Sequence, residues 1–314
     1  MVKLDIVIVN WNAGQQLRAC LDSIVTACRD GFALSLVVVD NASSDGSVDD
    51  LNDLDLPLTM IQNDTNRGFA TACNQGAKGS DADYLLFLNP DTRLFKDSLD
   101  KPLAFMEQQN NRQVGIVGIQ LVDEIGQISR TCARFLSPGR FFANMMGLDR
   151  LFPRFFLSHF MSEWDHGQTR EVDQVMGAFF LTRRSIFETL GGFDERFFVY
   201  FEDIDFSLHA YKHGWKTVYL AEAQAYHKGG GTSEQVKATR LFYSLRSRIQ
   251  YGYKHFGWFP ATFLLVGTLL LEPLARLALA AGRRSGRDAV ETLAGFGQLW
   301  ASLPALILGQ DRKR

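Results

Sequence analysis

The 314 residues are 46% hydrophobic and 22% charged, enough apolar material for one large core or two modest ones, which excludes a disordered chain. The formal net charge of −2 conceals an asymmetry, because residues 237–314 carry 12 Lys and Arg against 4 acids and leave the upstream residues at −10. Charge alone separates neither an anionic membrane nor a nucleic acid as neighbour of that basic end.

The N-terminal "MVKLDIVIVN" runs directly into a strand pattern, without the apolar stretch and cleavage site of a signal peptide. Cys20, Cys28, Cys73 and Cys132 form no C-x-x-C pair. Both features predict a reducing, cytoplasmic location without structural disulfides. Four short apolar runs, "LDIVIVN", "LSLVVVD", "LTMIQN" and "YLLFLN", alternate with helix-like or turn-like segments over the first 90 residues. That alternation predicts βαβ units and a parallel sheet. The clearest helix is "GQQLRACLDSIVTAC", with Leu17, Leu21, Ile24, Val25 and Cys28 at helical spacing. The runs end in Asn10, Asp40, Asn63 and Asn89, and open α/β sheets bind ligands beyond the carboxyl ends of their strands.

Residues 91–170 are less regular, with a helix expected near 97–110 and a strand in "VGIVGIQLVD". The aromatic insertion "RFFANMMGLDRLFPRFFLSHFMSEW" has no clear periodicity; it either shapes an acceptor pocket or packs. The stretch from "VDQVMGAFF" to "KTVYL" reads strand, helix, loop, strand, helix, strand. Downstream, "FPATFLLVGTLLL" is short for a membrane span and is cut by Glu272-Pro273, so no transmembrane helix is expected. In "LARLALAAGRRSGR" arginines flank an apolar stripe, as in a membrane-surface helix or a helical pair packed on the domain.

The turn after the first strand, "NWNAG", lacks G-x-G-x-x-G and excludes a dinucleotide fingerprint. In "VVVDNASSDGS", Asp40 either accepts the imide N–H of a uracil or thymine ring or caps the next turn. In "NRGFATACNQGA", Arg67 either makes a bidentate contact to phosphate or ribose or is a surface arginine. In "LFLNPDTRL", Asp91, stiffened by Pro90, suits a hard divalent cation or caps a helix. His227, before the glycines of "YHKGGGTS", is a structural histidine unless it faces Asp91. In "FFVYFEDIDF", a helix beginning near residue 202 places Glu202 and Asp205 on one face and turns Asp203 about 100° away. Acids in a first helical turn also simply favour the helix dipole.

Taken together, "VIVNWNAGQQLRACLDSI", "VVVDNASSDGS", "NRGFATACNQGA", "LNPDT" and "MGAFFLTRRSIFETLGGFDERFFVYFEDIDFSLHAYKHGWK" resemble the family 2 glycosyltransferases, in their rhamnosyltransferase-like branch. The resemblance covers about residues 3–230 and keeps the family's motif order. It implies an α/β fold of GT-A type over 1–235, with a nucleotide-binding half at about 1–95 and an acceptor half at about 96–235. Residues 236–314 are then a helical, amphipathic tail. It further implies a nucleotide-diphosphate sugar donor (dTDP-rhamnose favoured, a UDP-sugar second), a divalent cation (Mg²⁺ or Mn²⁺) and inversion by a single displacement.

By motif, Asn10, Trp11, Asn12, Asp40, Arg67 and Asn89 would bind the nucleotide. Asp91 and His227 would hold the metal, and the family's E-D motif falls on Glu202 and Asp203, with Asp203 favoured as base. Asn89 departs from the first acid of the family's D-x-D. The acceptor expected is lipid-linked or a polysaccharide, at the inner face of the cell membrane, with no nucleic acid. A sugar nucleotidyltransferase and a non-catalytic nucleotide-sugar scaffold are the alternatives; the first would need a Gly- and Arg-rich phosphate loop where "NWNAG" stands.

Overall fold

The computed structural model describes residues 1–314 except 29–30, 50, 52–53, 55, 230–235 and 308–314. Its strands are β1 (Val2–Asn10), β2 (Phe32–Asp40), β3 (Leu58–Gln62), β4 (Tyr84–Leu88), β5 (Thr92–Leu94), β6 (Val114–Val122), β7 (Cys132–Ala133), β8 (Arg170–Val172), β9 (Gln174–Val175), β10 (Phe179–Arg183) and β11 (Lys216–His227). Its helices are α1 (Gln15–Ala27), α2 (Phe69–Ala77), α3 (Asp100–Glu107), α4 (Pro138–Met145), α5 (Leu148–Leu151), α6 (Arg184–Thr189), α7 (Glu202–Lys212), α8 (Lys237–His255), α9 (Trp258–Gly282) and α10 (Gly286–Ile307).

One sheet runs β3-β2-β1-β4-β10-β6-β11-β5, with β8 added on β11. Strands β1 to β4 are parallel to their neighbours in that group, as are β6 and β11, whereas β10 runs antiparallel to both β4 and β6. The mostly parallel α/β sheet expected from the alternating runs is present. The β1/β2 register sets Asn10 beside Asp40, so the polar strand ends line one edge.

The chain divides into two compact units. The first comprises Met1–Phe135, Phe160–Glu195 and Glu202–Thr232. Its core has two layers, because successive side chains of a strand point to opposite faces. Leu4, Ile6 and Ile8 of β1 pack with Leu17, Leu21 and Ile24 of α1, while Val7 and Val9 face Ala72 and Cys73 of α2. Burial on both faces explains why these strands read as unbroken apolar runs. Within α1, Cys20 and Ala27 complete the buried stripe, and Val25 is exposed. Helix α2 approaches β1 closely at Gly76, where a Cβ would lie 2.4 Å from Val7 Cγ1. A larger residue there would push α2, and the loop that precedes it, off the sheet.

The second unit comprises Leu136–His159, Arg196–Phe201 and 233–314. Leu245 and Ile249 of α8 meet Phe296 and Leu299 of α10 in its core. Phe198 stacks on Tyr243 with ring centroids 4.5 Å apart, and Phe201 contacts Phe141 and Tyr251. This packing corrects the strand read over "FFVYF", which is a bend in which Tyr200 and Phe201 take left-handed φ of 66° and 74°. Such φ values are strained for bulky residues and persist only where surrounding packing enforces them.

A second correction concerns Glu272-Pro273, which does not cut the tail. Helix α9 continues through it over 25 residues, long and apolar enough to cross a membrane by length and composition, with about a third of its most apolar window buried. A π-helical segment at Gly267–Leu271 precedes the proline, and Glu272 N–H donates to Gly267 O. That shifted bonding pattern accommodates a ring without an N–H donor.

Candidate active site

The site is assembled at the carboxyl edge of the sheet in the first unit. After β4 the chain turns through Asn89-Pro90-Asp91 into β5, which pairs antiparallel with the end of β11, Thr92 opposite His227. This pairing brings Asp91 Oδ1 to 3.2 Å from His227 Nε2, with both side chains about nine-tenths buried. Arg93 lies over the Tyr226 ring at 3.9 Å and fastens the same junction. Among the described residues no group of three or more His, Cys, Asp or Glu surrounds a metal position. The Asp91 and His227 pair supplies one oxygen and one nitrogen, a donor set that fits a cation completing its shell with phosphate oxygens and water. Gly230 and Gly231 of the glycine loop lie outside the described residues.

Asp203 stands in the first turn of α7, where Glu202, Asp203 and Asp205 all occur. Glu202 and Asp205 are buried on one face, as their spacing requires, and Asp203 points elsewhere. Asp203 Oδ2 accepts hydrogen bonds from Gln174 Nε2 at 2.8 Å and Gly177 N at 3.1 Å, and Oδ1 accepts from Ile204 N at 2.8 Å. Burial raises the Asp203 carboxyl above the usual carboxylate range, against the pull of these three donors. Burial, then the charge of Asp203, holds Glu202 well above that range, and Glu202 Oε2 has no hydrogen-bond partner among the described residues. Burial first, and then the charge of Glu202, pushes the Cys73 thiol up.

Adjacent residues link the two groups of acids. Asn89 N–H donates to Ala178 O at 3.1 Å and Thr92 Oγ1 donates to the same carbonyl at 3.3 Å, while Gly177 N–H holds Asp203. The dipeptide Gly177-Ala178, just before β10, therefore fixes both the Asp91 turn and the Asp203 carboxylate. Gln174 and Gly177 escaped the reading by sequence, since neither carries charge; the one signal was their place inside the stretch beginning "VDQVMGAFF".

The nucleotide candidates fall into three settings. Asn10 and Asp40 are buried and joined, Asn10 Nδ2 donating to Asp40 Oδ1 at 2.8 Å and also reaching Ser43 and Ser47. Asp40 Oδ2 accepts from Ser43 N at 3.1 Å, so this carboxylate does cap the following turn. Trp11, Asn12 and Asn89 are half-buried. Asn12 has φ 51°, a left-handed value its short amide tolerates, and its Oδ1 accepts from Ser44 N at 2.8 Å. Arg67 is exposed, on a loop held by Asn41, whose Nδ2 donates to Gly68 O at 3.1 Å and whose Oδ1 accepts from Arg67 N at 3.4 Å. Asn63 and Gln75 exchange amide bonds of 2.9 and 3.0 Å and tie the end of β3 to α2. Asn41 and Gln75 in this network were not singled out from the sequence.

The chain belongs to glycosyl transferase family 2, whose sequence model matches residues 5–191, and its fold is GT-A. Among its relatives is the N-acetylglucosaminyl-diphospho-decaprenol L-rhamnosyltransferase of Mycobacterium tuberculosis, 27% identical over 305 residues, 92% of this chain and 98% of that one. In fold the chain is similar to the mannosyltransferase PcManGT of Pyrobaculum calidifontis, solved with GDP-Man and Mn²⁺. That likeness has a TM-score of 0.54 at 16% identity, over 98% of this chain and 87% of the other. It is also similar to S. aureus TarS, with a TM-score of 0.54 at 15% identity, over 95% of this chain and 49% of TarS. The protein is thus a glycosyltransferase.

Proposed function

We propose that the enzyme transfers a sugar, rhamnose or another deoxyhexose, with inversion from a nucleotide-diphosphate donor to a lipid-linked or polysaccharide acceptor in cell-surface glycan synthesis. dTDP-rhamnose is the favoured donor and a UDP-sugar the second choice. The observation that carries this reading is the Gly177-Ala178 clamp, which joins a cation-type pair, Asp91 and His227, to a carboxylate with raised proton affinity, Asp203. The M. tuberculosis relative, named for a rhamnosyl transfer to a diphospho-decaprenol acceptor, supports the sugar and acceptor class.

In this mechanism Asp203 takes the proton of the acceptor hydroxyl as the new glycosidic bond forms. Its elevated pKa makes it a stronger base than a surface carboxylate, and the bonds from Gln174 and Gly177 orient it. Glu202 is the alternative base, but its burial favours the protonated form, so Asp203 loses its proton first and Glu202 serves as a neutral neighbour. Asp91 and His227 would hold Mg²⁺ or Mn²⁺, which when bound stabilises the negative charge developing on the departing diphosphate. Asn10 and Asp40 hold the loop at residues 43–47 that receives the base, while Trp11, Asn12, Arg67 and Asn89 contact the nucleotide. We assign the domain roles as 1–95 donor half, 96–235 acceptor half and 236–314 tail, and place the protein at the inner face of the cell membrane. Incubation with a panel of nucleotide sugars, dTDP-rhamnose included, and mass spectrometry of the products tests this reading. Turnover of nucleoside triphosphates with pyrophosphate release, and no sugar transfer, would overturn it.

A further inference from the structure

Helix α9 is apolar on the wrong side for a helix in water. Its inward stripe, Ala261, Leu264, Thr268 and Glu272, is buried and includes two of the helix's four polar side chains, the others being Thr262, which is half-buried, and Arg276, which bonds back to Glu272. Its outward stripe, Phe259, Phe263, Val266, Leu270 and Leu274, is 46% to 76% exposed and contains no polar residue. A surface helix in water shows the reverse arrangement. The patch does not end with α9. Phe142 of α4 meets Phe263 with ring centroids 5.8 Å apart, and Met145 packs against Gly267. In the same compact unit, Leu151, Phe152, Phe155 and Leu157 of the aromatic insertion are exposed.

Exposed arginines accompany this apolar surface, Arg154 within the insertion and Arg283, Arg284 and Arg287 just beyond α9. Trp258 opens the helix, three-quarters exposed. Aromatic residues at the helix start and arginines past its end match the headgroup zone of an anionic bilayer. The polar face argues against crossing it. Glu272 Oε2 accepts from Arg248 Nη2 of α8 at 2.6 Å, both side chains buried, and Glu272 Oε1 accepts from Arg276 Nε at 2.9 Å. Leu264 also packs over Gly252 of α8. A spanning α9 would draw this ion pair, and α8 with its five Lys and Arg, into hydrocarbon at large cost.

We propose that α9 and the aromatic insertion form a membrane-docking surface that lies flat in one leaflet of an anionic bilayer, which deepens and rests on the membrane reading above. The apolar face enters the acyl boundary, and Arg154, Arg283, Arg284 and Arg287 engage lipid phosphates.

The test uses the full chain with preformed vesicles of phosphatidylcholine, with or without phosphatidylglycerol. Flotation is expected with phosphatidylglycerol and is expected to be lost in a Phe259→Glu, Leu270→Glu double variant whose melting temperature matches wild type. Singly introduced cysteines, Trp258→Cys and Gly282→Cys in a Cys28→Ser background that keeps the buried Cys20, Cys73 and Cys132, are expected both to react with an impermeant maleimide added outside the vesicles. Flotation with one of the two protected until detergent is added would make α9 a span and overturn the flat geometry while leaving membrane association intact. Absence of flotation in any vesicle would overturn both. A wild-type dimer that the double variant dissociates, with flotation unchanged, would make the face an interface between copies and likewise overturn the proposal.

Discussion

Glu202 and Asp203 are neighbours in the first turn of α7, yet Asp203 accepts three hydrogen bonds while Glu202 Oε2 has no partner among the described residues. The difference separates their chemistry. A carboxylate with donors is stabilised in its charged form, and a buried one without them keeps its proton. Asp203→Asn should therefore lower turnover roughly a hundred- to ten-thousand-fold, the range of lost general-base catalysis, with donor affinity nearly unchanged. Glu202→Gln should cost far less. Steady-state rates and donor titration by calorimetry check this, and near-wild-type turnover in Asp203→Asn would remove it from the mechanism.

The same pair predicts a pH signature in stability. Glu202 binds its proton more tightly folded than unfolded, so its contribution is fully present below the unfolded carboxyl pKa and is lost as pH rises through the folded value. Gln mimics the protonated form and has no such loss. The melting temperature of Glu202→Gln relative to wild type should therefore rise as the pH is taken upward from the ordinary glutamate value of about 4.3. A difference that stays flat as the pH rises would mean Glu202 is not held protonated.

Asp91 and His227 predict a cation requirement of a particular kind. Chelation should abolish transfer and added Mn²⁺ or Mg²⁺ should restore it. His227→Ala should raise the Mn²⁺ concentration needed by about 10–100-fold, the scale typical when part of a metal's surroundings is lost, while Asp91→Ala should not be rescued. Electron paramagnetic resonance of Mn²⁺ binding supplies a readout independent of turnover. Equal Mn²⁺ affinity in wild type and both variants would sink the assignment.

Much of the first unit could be read from the chain because parallel strands buried on both faces announce themselves as apolar runs, and β1 to β4 all lie where those runs stand. The start of α7 was legible in the acids at 202, 203 and 205. "FFVYF" misled because its composition favours a strand, whereas its conformation is dictated by Tyr243, Phe141 and Tyr251, partners tens of residues away. Gln174 and Gly177 stayed hidden for a related reason, since only the folded chain brings them to Asp203. Pro273 misled in the opposite direction, as a breaker that a π-helical turn absorbs.

The Arg248 and Glu272 pair yields the last prediction. Both side chains are more than nine-tenths buried and meet at 2.6 Å, joining α8 to α9 within the second unit. Desolvating two charges is expensive, and their attraction roughly returns that cost, so the pair as a whole adds little stability. Removing one partner is different, because the other charge is left buried. Glu272→Ala would leave Arg248 without its carboxylate, and Arg248→Ala would leave Glu272 with Arg276, which is 44% exposed. Each single variant should lose about 3–5 kcal/mol, with Glu272→Ala the worse, and the Arg248→Met, Glu272→Met double variant should recover most of that loss. Denaturant unfolding of the four proteins decides the matter. If the double variant is as unstable as either single, the pair is stabilising in its own right and the argument from desolvation fails.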